Sequence, residues 1–368
     1  MNVKSQIKYD NFYFHNRNFG CRYNEIIYKS YRALIIENEK LRITILVGKG
    51  TDIIELLYKP MDIDFMWRSP IELYDNNKNQ PTKQLGAGSF LDTYEGGWQE
   101  LLPNINDPTN YKDSGLGTHG EAALLPWDYE IVVDSVYEIK VKFSVRMNRA
   151  PFLVIKYLTI KSTSSVIEFE EKIKNEGDEE FKFMWGYHPA IGKPFLDDNC
   201  VIDLPDEAIG HTYHIDYSGN SILHLDKEFK WPFVRDKNNL EIDLSKIMSD
   251  KAKTAFNVYL DNLKEGWYGI TNLKKGIGFG LKWDVAVFKY LMIWFVYRGY
   301  YGFPFYGRTY NVALEPWSAV PGNLDEVIRL KRELSLLPLA EIETKYSCII
   351  YESRQRIKGF DENNKLYK

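Results

Sequence analysis

From Ile139 to Met147 the chain alternates apolar and polar side chains without a break: Ile139, Val141, Phe143, Val145 and Met147 interleave with Lys140, Lys142, Ser144 and Arg146. A period of two puts successive side chains on opposite faces, so this stretch predicts an antiparallel strand with one face buried and one wet. Further strands are expected at Leu41 to Val47, Asp52 to Tyr58, Tyr129 to Val136, Leu153 to Ile160, Ser165 to Lys174, Phe181 to Trp185, Gly278 to Lys282, Leu291 to Tyr297 and Glu341 to Tyr351. Turn clusters such as Asn175-Glu176-Gly177-Asp178 separate them. Helical periodicity is confined to Leu244 to Lys253 and Leu324 to Leu330. A parallel α/β sheet needs strands alternating with helices of roughly 10–15 residues, and that pattern is missing. The expected fold class is all-β, a large antiparallel β-sandwich with a few short helices.

The 368 residues, 44% hydrophobic and 27% charged, are enough for a large core and are not the composition of a disordered chain. No Pro-, Gly- or Ser-rich linker divides the sequence, so one domain over 1–368 is expected, with its core at about 40–352. Glu72 to Gln80 reads as a polar surface loop and residues 361–368 as a frayed tail. A net charge of −4 without a basic cluster argues against nucleic acid as a partner. The first residues lack the apolar run of a secretory signal, and no run of ~18 apolar residues follows, so a cytoplasmic protein without membrane contact is expected. Cys21, Cys200 and Cys348 are widely spaced and read as core thiols, with no metal site.

Three short stretches carry candidate chemistry. Gly186-Tyr187-His188-Pro189-Ala190 and Leu314-Glu315-Pro316-Trp317 supply an imidazole and a carboxylate, each flanked by Pro and aromatic residues. Gly117-Thr118-His119-Gly120 adds a second imidazole in a Gly-flanked turn. Residues Gly115 to Gly120 formally fit G-x-G-x-x-G, but a turn precedes them and Pro126 follows, so the strand, glycine turn and helix of a dinucleotide site are not expected. His15, His211, His214 and His224 read as structural or solvated.

Gly96-Gly97-Trp98-Gln99-Glu100 with Pro103-Asn104, then His119-Gly120 with Trp127, then His188-Pro189, then Leu314-Glu315-Pro316 occur in the order found in aldose 1-epimerases. Over roughly residues 40 to 352 the chain resembles the galactose mutarotase-like superfamily. The resemblance implies a β-supersandwich with a sugar on its concave face and no metal or organic cofactor. It implies Glu315 as the base that takes the anomeric hydroxyl proton, His188 as the acid at the ring oxygen, and His119 as a hydrogen-bonding partner of the sugar.

The residue types agree with that chemistry on their own terms. A hemiacetal hydroxyl is a weak acid, so a carboxylate with a raised pKa suits its removal, and burial beside Pro316 and Trp317 is one way to raise it. Imidazole donates and accepts near neutrality. Trp98, Trp127, Trp185, Trp294 and Trp317 are candidate flat walls for a pyranose, with Trp127 and Trp294 taken as substrate-binding and two or three tryptophans in all expected to touch ligand. Arg68 and Asp284, each following a tryptophan, are further candidates for sugar hydroxyls. The reading is an isomerase acting on a small-molecule hexose, as a monomer or homodimer. Open beside it stand an epimerase of a phosphorylated or modified sugar, a non-catalytic carbohydrate binder, and a glycan-cleaving enzyme, which would ordinarily show two placed carboxylates.

Overall fold

The computed structural model describes residues 17–71, 73 and 88–367. The longest strands build two large sheets in which every strand pairing is antiparallel. The alternating stretch found first in the sequence is the strand Glu138–Arg146, in which Ile139, Val141, Phe143 and Val145 are buried. It lies near one edge of an eight-stranded sheet, between Asp128–Asp134 and Phe152–Lys161. That sheet continues through Val166–Asn175, Glu341–Tyr351, Ile277–Trp283 and Gly266–Asn272 to Cys200–Asp203.

The second sheet has twelve strands. Its centre runs in the order Trp98–Leu101, Gly186–Ile191, Tyr310–Trp317, Tyr290–Tyr297, Thr254–Asp261. The main apolar core lies between the two sheets: Val141, Leu158 and Phe169 come from one, Leu291, Ile293, Val312 and Leu314 from the other. A separate buried cluster covers the opposite face of the twelve-stranded sheet, with Ala190, Met292, Ala313 and Trp317 among its members. Gly186–Ile191 and Tyr310–Trp317 are thus buried at every position, on both faces. This is why neither shows the alternation that a period-two search looks for.

Charge is also buried between the sheets. Lys156 pairs with Glu100 and lies 3.5 Å from Glu171, and the hydroxyls of Tyr187 (2.9 Å) and Tyr346 (2.6 Å) donate to Glu171. Burial first, then the charge of Glu100, pushes the Glu171 carboxyl up to about 8. Tyr187 ties this network to the strand that carries His188.

Two expectations are corrected. Leu244 to Lys253 is not helical: its start follows the strand Glu241–Asp243, and Asp243 Oδ1 accepts the hydroxyl (2.6 Å) and N–H (3.1 Å) of Ser245, an Asp-centred turn that competes with helix formation. The expected frayed tail instead folds back as a hairpin, Gly359–Phe360 against Leu366–Tyr367, with Asp361 Oδ1 accepting the N–H groups of Asn363 and Lys365. The second expected helix is present as Leu324–Arg329, closed by an Asn323/Glu326 capping box. The three cysteines are buried and free. Most of the expected loop Glu72 to Gln80 lies outside the described residues, and so does His15. No helix among the described residues is long and apolar enough to cross a membrane.

Candidate active site

The register of the twelve-stranded sheet decides what meets what. Gly186 pairs with Trp317 and Ala190 with Ala313, which sets His188 opposite Glu315 on the neighbouring strand. On its other sides His188 pairs with Gln99, and Glu315 with Met292. Directly opposed side chains on one face lie within reach of each other, and here His188 Nε2 is 3.5 Å from Glu315 Oε1. Gly186 is required by this packing, because a Cβ there would fall 2.6 Å from Trp317 Cδ1.

His119 arrives from outside the sheet, on the turn that closes with Gly120 N–H donating to Gly117 O. Gly120 has φ +75°, and a Cβ on it would meet Leu102 O at 2.1 Å, so the turn holds glycine for both reasons. His119 N–H donates to Asn106 O (3.1 Å), and Asn106 N–H donates back to His119 Nδ1 (3.2 Å). With Nδ1 acting as acceptor, the proton of the neutral ring sits on Nε2. The His119 and His188 ring centroids are 5.6 Å apart, and the edge of Phe90 packs on His119 at 4.6 Å. No dinucleotide fingerprint forms around these glycines, since a short strand and a single 3₁₀ turn flank them.

These groups share one cleft, with His119, His188, Glu315, Trp294 and Trp317 in its wall. Burial holds His188 down to about 4, and burial followed by the neighbouring His188 holds His119 well below its usual value. Burial pushes the Glu315 carboxyl well above the carboxylate range, with the nearby Trp317 indole N–H pulling the other way. Burial thus favours the neutral carboxyl and the neutral imidazole over the charged forms of both groups. Glu315 Oε2, Trp317 Nε1 and Thr118 Oγ1 are buried, yet none completes a hydrogen bond with the described residues. Each such group costs about 1–3 kcal/mol unless something polar reaches it, so three of them in one cleft wall mark where a polar ligand or water belongs.

Tyr94 is a member that sequence reasoning missed. Its hydroxyl lies 3.2 Å from His188 Nδ1, and burial, then the carboxylates of Glu315, Glu95 and Asp52, hold the phenol well above its ordinary value. It stays protonated. Donating to Nδ1, it leaves the Nε2 proton of His188 facing Glu315; accepting, it frees Nε2 to take a proton from Glu315. Nothing local distinguishes Tyr94 in a chain with 26 tyrosines.

Other expected contacts do not reach the cleft. Trp127 is fully buried in the core, its Nε1–H donating to Ala122 O (3.1 Å) and its ring under Lys156. Asp284 is exposed and caps its own turn by accepting Ala286 N–H at 2.8 Å. Arg68 is largely exposed beside Asp64 at 3.4 Å. Asp284 thus serves its own turn while the Trp283 indole enters the core. Trp98 and Trp185 also face the inter-sheet core, which leaves Trp294 and Trp317 of the five. His224, read as structural or solvated, lines the cleft; His211 pairs with Asp261 at 3.1 Å.

No set of three or more His, Cys, Asp or Glu residues suited to a metal ion occurs among the described residues. No curated protein matches the sequence. Among solved structures, a candidate aldose 1-epimerase from Klebsiella pneumoniae aligns with a TM-score of 0.70 at 14% identity, covering 91% of this chain and 88% of that one. A galactose mutarotase related enzyme from Lactobacillus acidophilus gives 0.58 at 18% identity, covering 87% and 98%. A galactose mutarotase-like protein from Clostridium acetobutylicum gives 0.59 at 14%, covering 90% and 99%. At these identities the likeness shows a shared fold. The sequence model of DUF4432, a domain of unknown function, matches residues 28–347, so the chain belongs to the DUF4432 family on a galactose mutarotase-like fold.

Proposed function

We propose that the protein is an aldose 1-epimerase, interconverting the α and β anomers of a hexose by opening and reclosing the ring. The observation that carries this reading is the facing of His188 and Glu315 across adjacent strands at 3.5 Å, inside a cleft whose buried polar atoms lack partners.

In the ionic form of the pair, Glu315 takes the proton of the anomeric hydroxyl while His188 gives one to the ring oxygen. The bond from C1 to the ring oxygen breaks and C1 becomes an aldehyde carbon. Rotation about C1–C2 turns the other face of the carbonyl to the hydroxyl, and closure with the roles exchanged yields the second anomer. Atoms, electrons and protons balance without a co-reactant. The neutral and ionic forms of the pair hold the same number of protons, and one transfer over the 3.5 Å gap converts them. His119, its proton on Nε2, is a donor for a sugar oxygen. Trp294 and Trp317 offer flat walls to the CH faces of the ring.

The test follows freshly dissolved α-glucose and α-galactose by polarimetry or proton NMR. Wild type is expected to accelerate anomer exchange, and Glu315→Gln to lose at least 10²-fold of that acceleration. An undiminished rate in Glu315→Gln would remove the carboxylate from the mechanism.

A further inference from the structure

We propose that the segment between Tyr213 and Leu225 builds a second, largely apolar subsite, so that the cleft takes the reducing end of a neutral oligosaccharide in preference to a sugar phosphate; this rests on the acid/base reading above.

The cleft does not end at the two histidines. Its wall also includes Ile215, Tyr217, Leu223 and Leu225, side chains that the acid/base chemistry does not use. Their loop is braced from within. Asp216 Oδ1 accepts the Ser218 hydroxyl (2.8 Å) and Gly219 N–H (2.9 Å), and Oδ2 accepts Ser221 N–H (3.0 Å). Tyr217 donates its hydroxyl to Asp107 (2.8 Å) and stacks on Tyr213 at 6.1 Å. The Tyr213 oxygen in turn accepts from Gly322 N–H (2.9 Å) and Asn106 Nδ2 (2.8 Å). Asn106 also carries the backbone bonds to His119, so this wall and the acid/base end are built on one piece of chain. Ile215, Tyr217 and Leu225 nevertheless remain 37–40% exposed, an apolar strip on a preformed wall, suited to the CH face of a second ring.

Charge selects against the alternative ligand. Among the described residues, the cleft is lined by Glu315, Asp107 and Asp216 and by no lysine or arginine. A phosphate monoester carries about −1.5 to −2 charges at pH 7 and is ordinarily met by arginine forks, lysines or open helix N-termini. Here the described wall offers it neither arginine nor lysine.

The experiment measures kcat/KM of anomer exchange for glucose, galactose, maltose, cellobiose, lactose and glucose 6-phosphate, with wild type and an Ile215→Ala/Leu225→Ala double variant. Both side chains are exposed enough that folding should survive. The same sugars are titrated by NMR onto Glu315→Gln, with and without the double substitution. The expected result is about tenfold preference for at least one disaccharide over glucose, no acceleration of glucose 6-phosphate, and about tenfold loss of the disaccharide-to-glucose ratio in the double variant. Preference for glucose 6-phosphate, or equal handling of glucose and disaccharides by both proteins, overturns the subsite and leaves the epimerase reading intact. Disaccharide binding weakened by the double substitution, with no catalysis by wild type, sustains the subsite and sinks the epimerase reading. If no sugar binds, both fall.

Discussion

Glu315 is 1% exposed and held by burial well above the carboxylate range, so it costs the folded state stability whenever it must ionise. The sign follows from linkage. Between the unfolded value near 4.5 and the raised folded value, the native protein binds more protons than the unfolded chain, so this contribution is complete below about pH 4.5 and is lost as pH rises. Glu315→Gln removes the titration. The variant should therefore gain stability over wild type progressively above about pH 4.5, with little difference below it, as read from urea midpoints at pH 4, 6 and 8. A gain independent of pH would mean that the carboxyl is not buried uncompensated. His188 acts in the opposite direction: held at about 4, it binds fewer protons folded than unfolded, and its contribution of roughly 3 kcal/mol is lost as pH falls from 6.5 toward 4. At this scale the sequence was readable in part. Motifs together with the family resemblance singled out His188, Glu315 and His119, which share the cleft, and also Arg68, Asp284 and Trp127, which do not line it.

At the scale of the element, the strand Gly186–Ile191 performs two tasks with alternate residues. His188 faces the cleft and Ala190 the buried cluster on the same side of the sheet, while Tyr187 and Ile191 enter the inter-sheet core. Its first residue must be small because Trp317 crosses it. Gly186→Ala places a Cβ 2.6 Å from Trp317 Cδ1 and 3.1 Å from Pro316 O. The expected outcome is about 1–3 kcal/mol of destabilisation by overpacking, with Trp317 displaced from the cleft wall. Near-UV circular dichroism and a denaturation curve check this together; an unchanged aromatic spectrum with wild-type stability would show that the wall yields freely. Half-buried strands such as Glu138–Arg146 announce themselves by alternation, but the site is built on strands buried on both faces, where that signal vanishes. The short Leu324–Arg329 helix was legible through its periodicity, and the structure adds the capping box that closes it.

For the whole molecule, the two sheets meet over a core that includes the ionic network of Lys156, Glu100 and Glu171. Removing its single cation leaves two buried carboxylates facing each other. Lys156→Ala is expected to cost about 3–5 kcal/mol, whereas Lys156→Met combined with Glu100→Gln should recover much of the loss. Urea midpoints of the two variants decide this, and equal destabilisation of both would show that lysine packing outweighs its charge. Because Tyr187 belongs to the network and sits next to His188, the single variant should also disturb the site.

The sequence by itself determined the fold class, the faces of the half-buried strands and the chemical types available to a site, because each depends on neighbours a few residues apart. Only the tertiary structure decided that Gly186–Ile191 pairs with Tyr310–Trp317 in the register that sets His188 against Glu315, and that Tyr94 and the Tyr213 to Leu225 loop join them. The strand pairing spans more than a hundred residues of chain and the Tyr94 contact 94. Which strands pair, and in which register, is settled by the packing of both sheets at once, not by any local pattern.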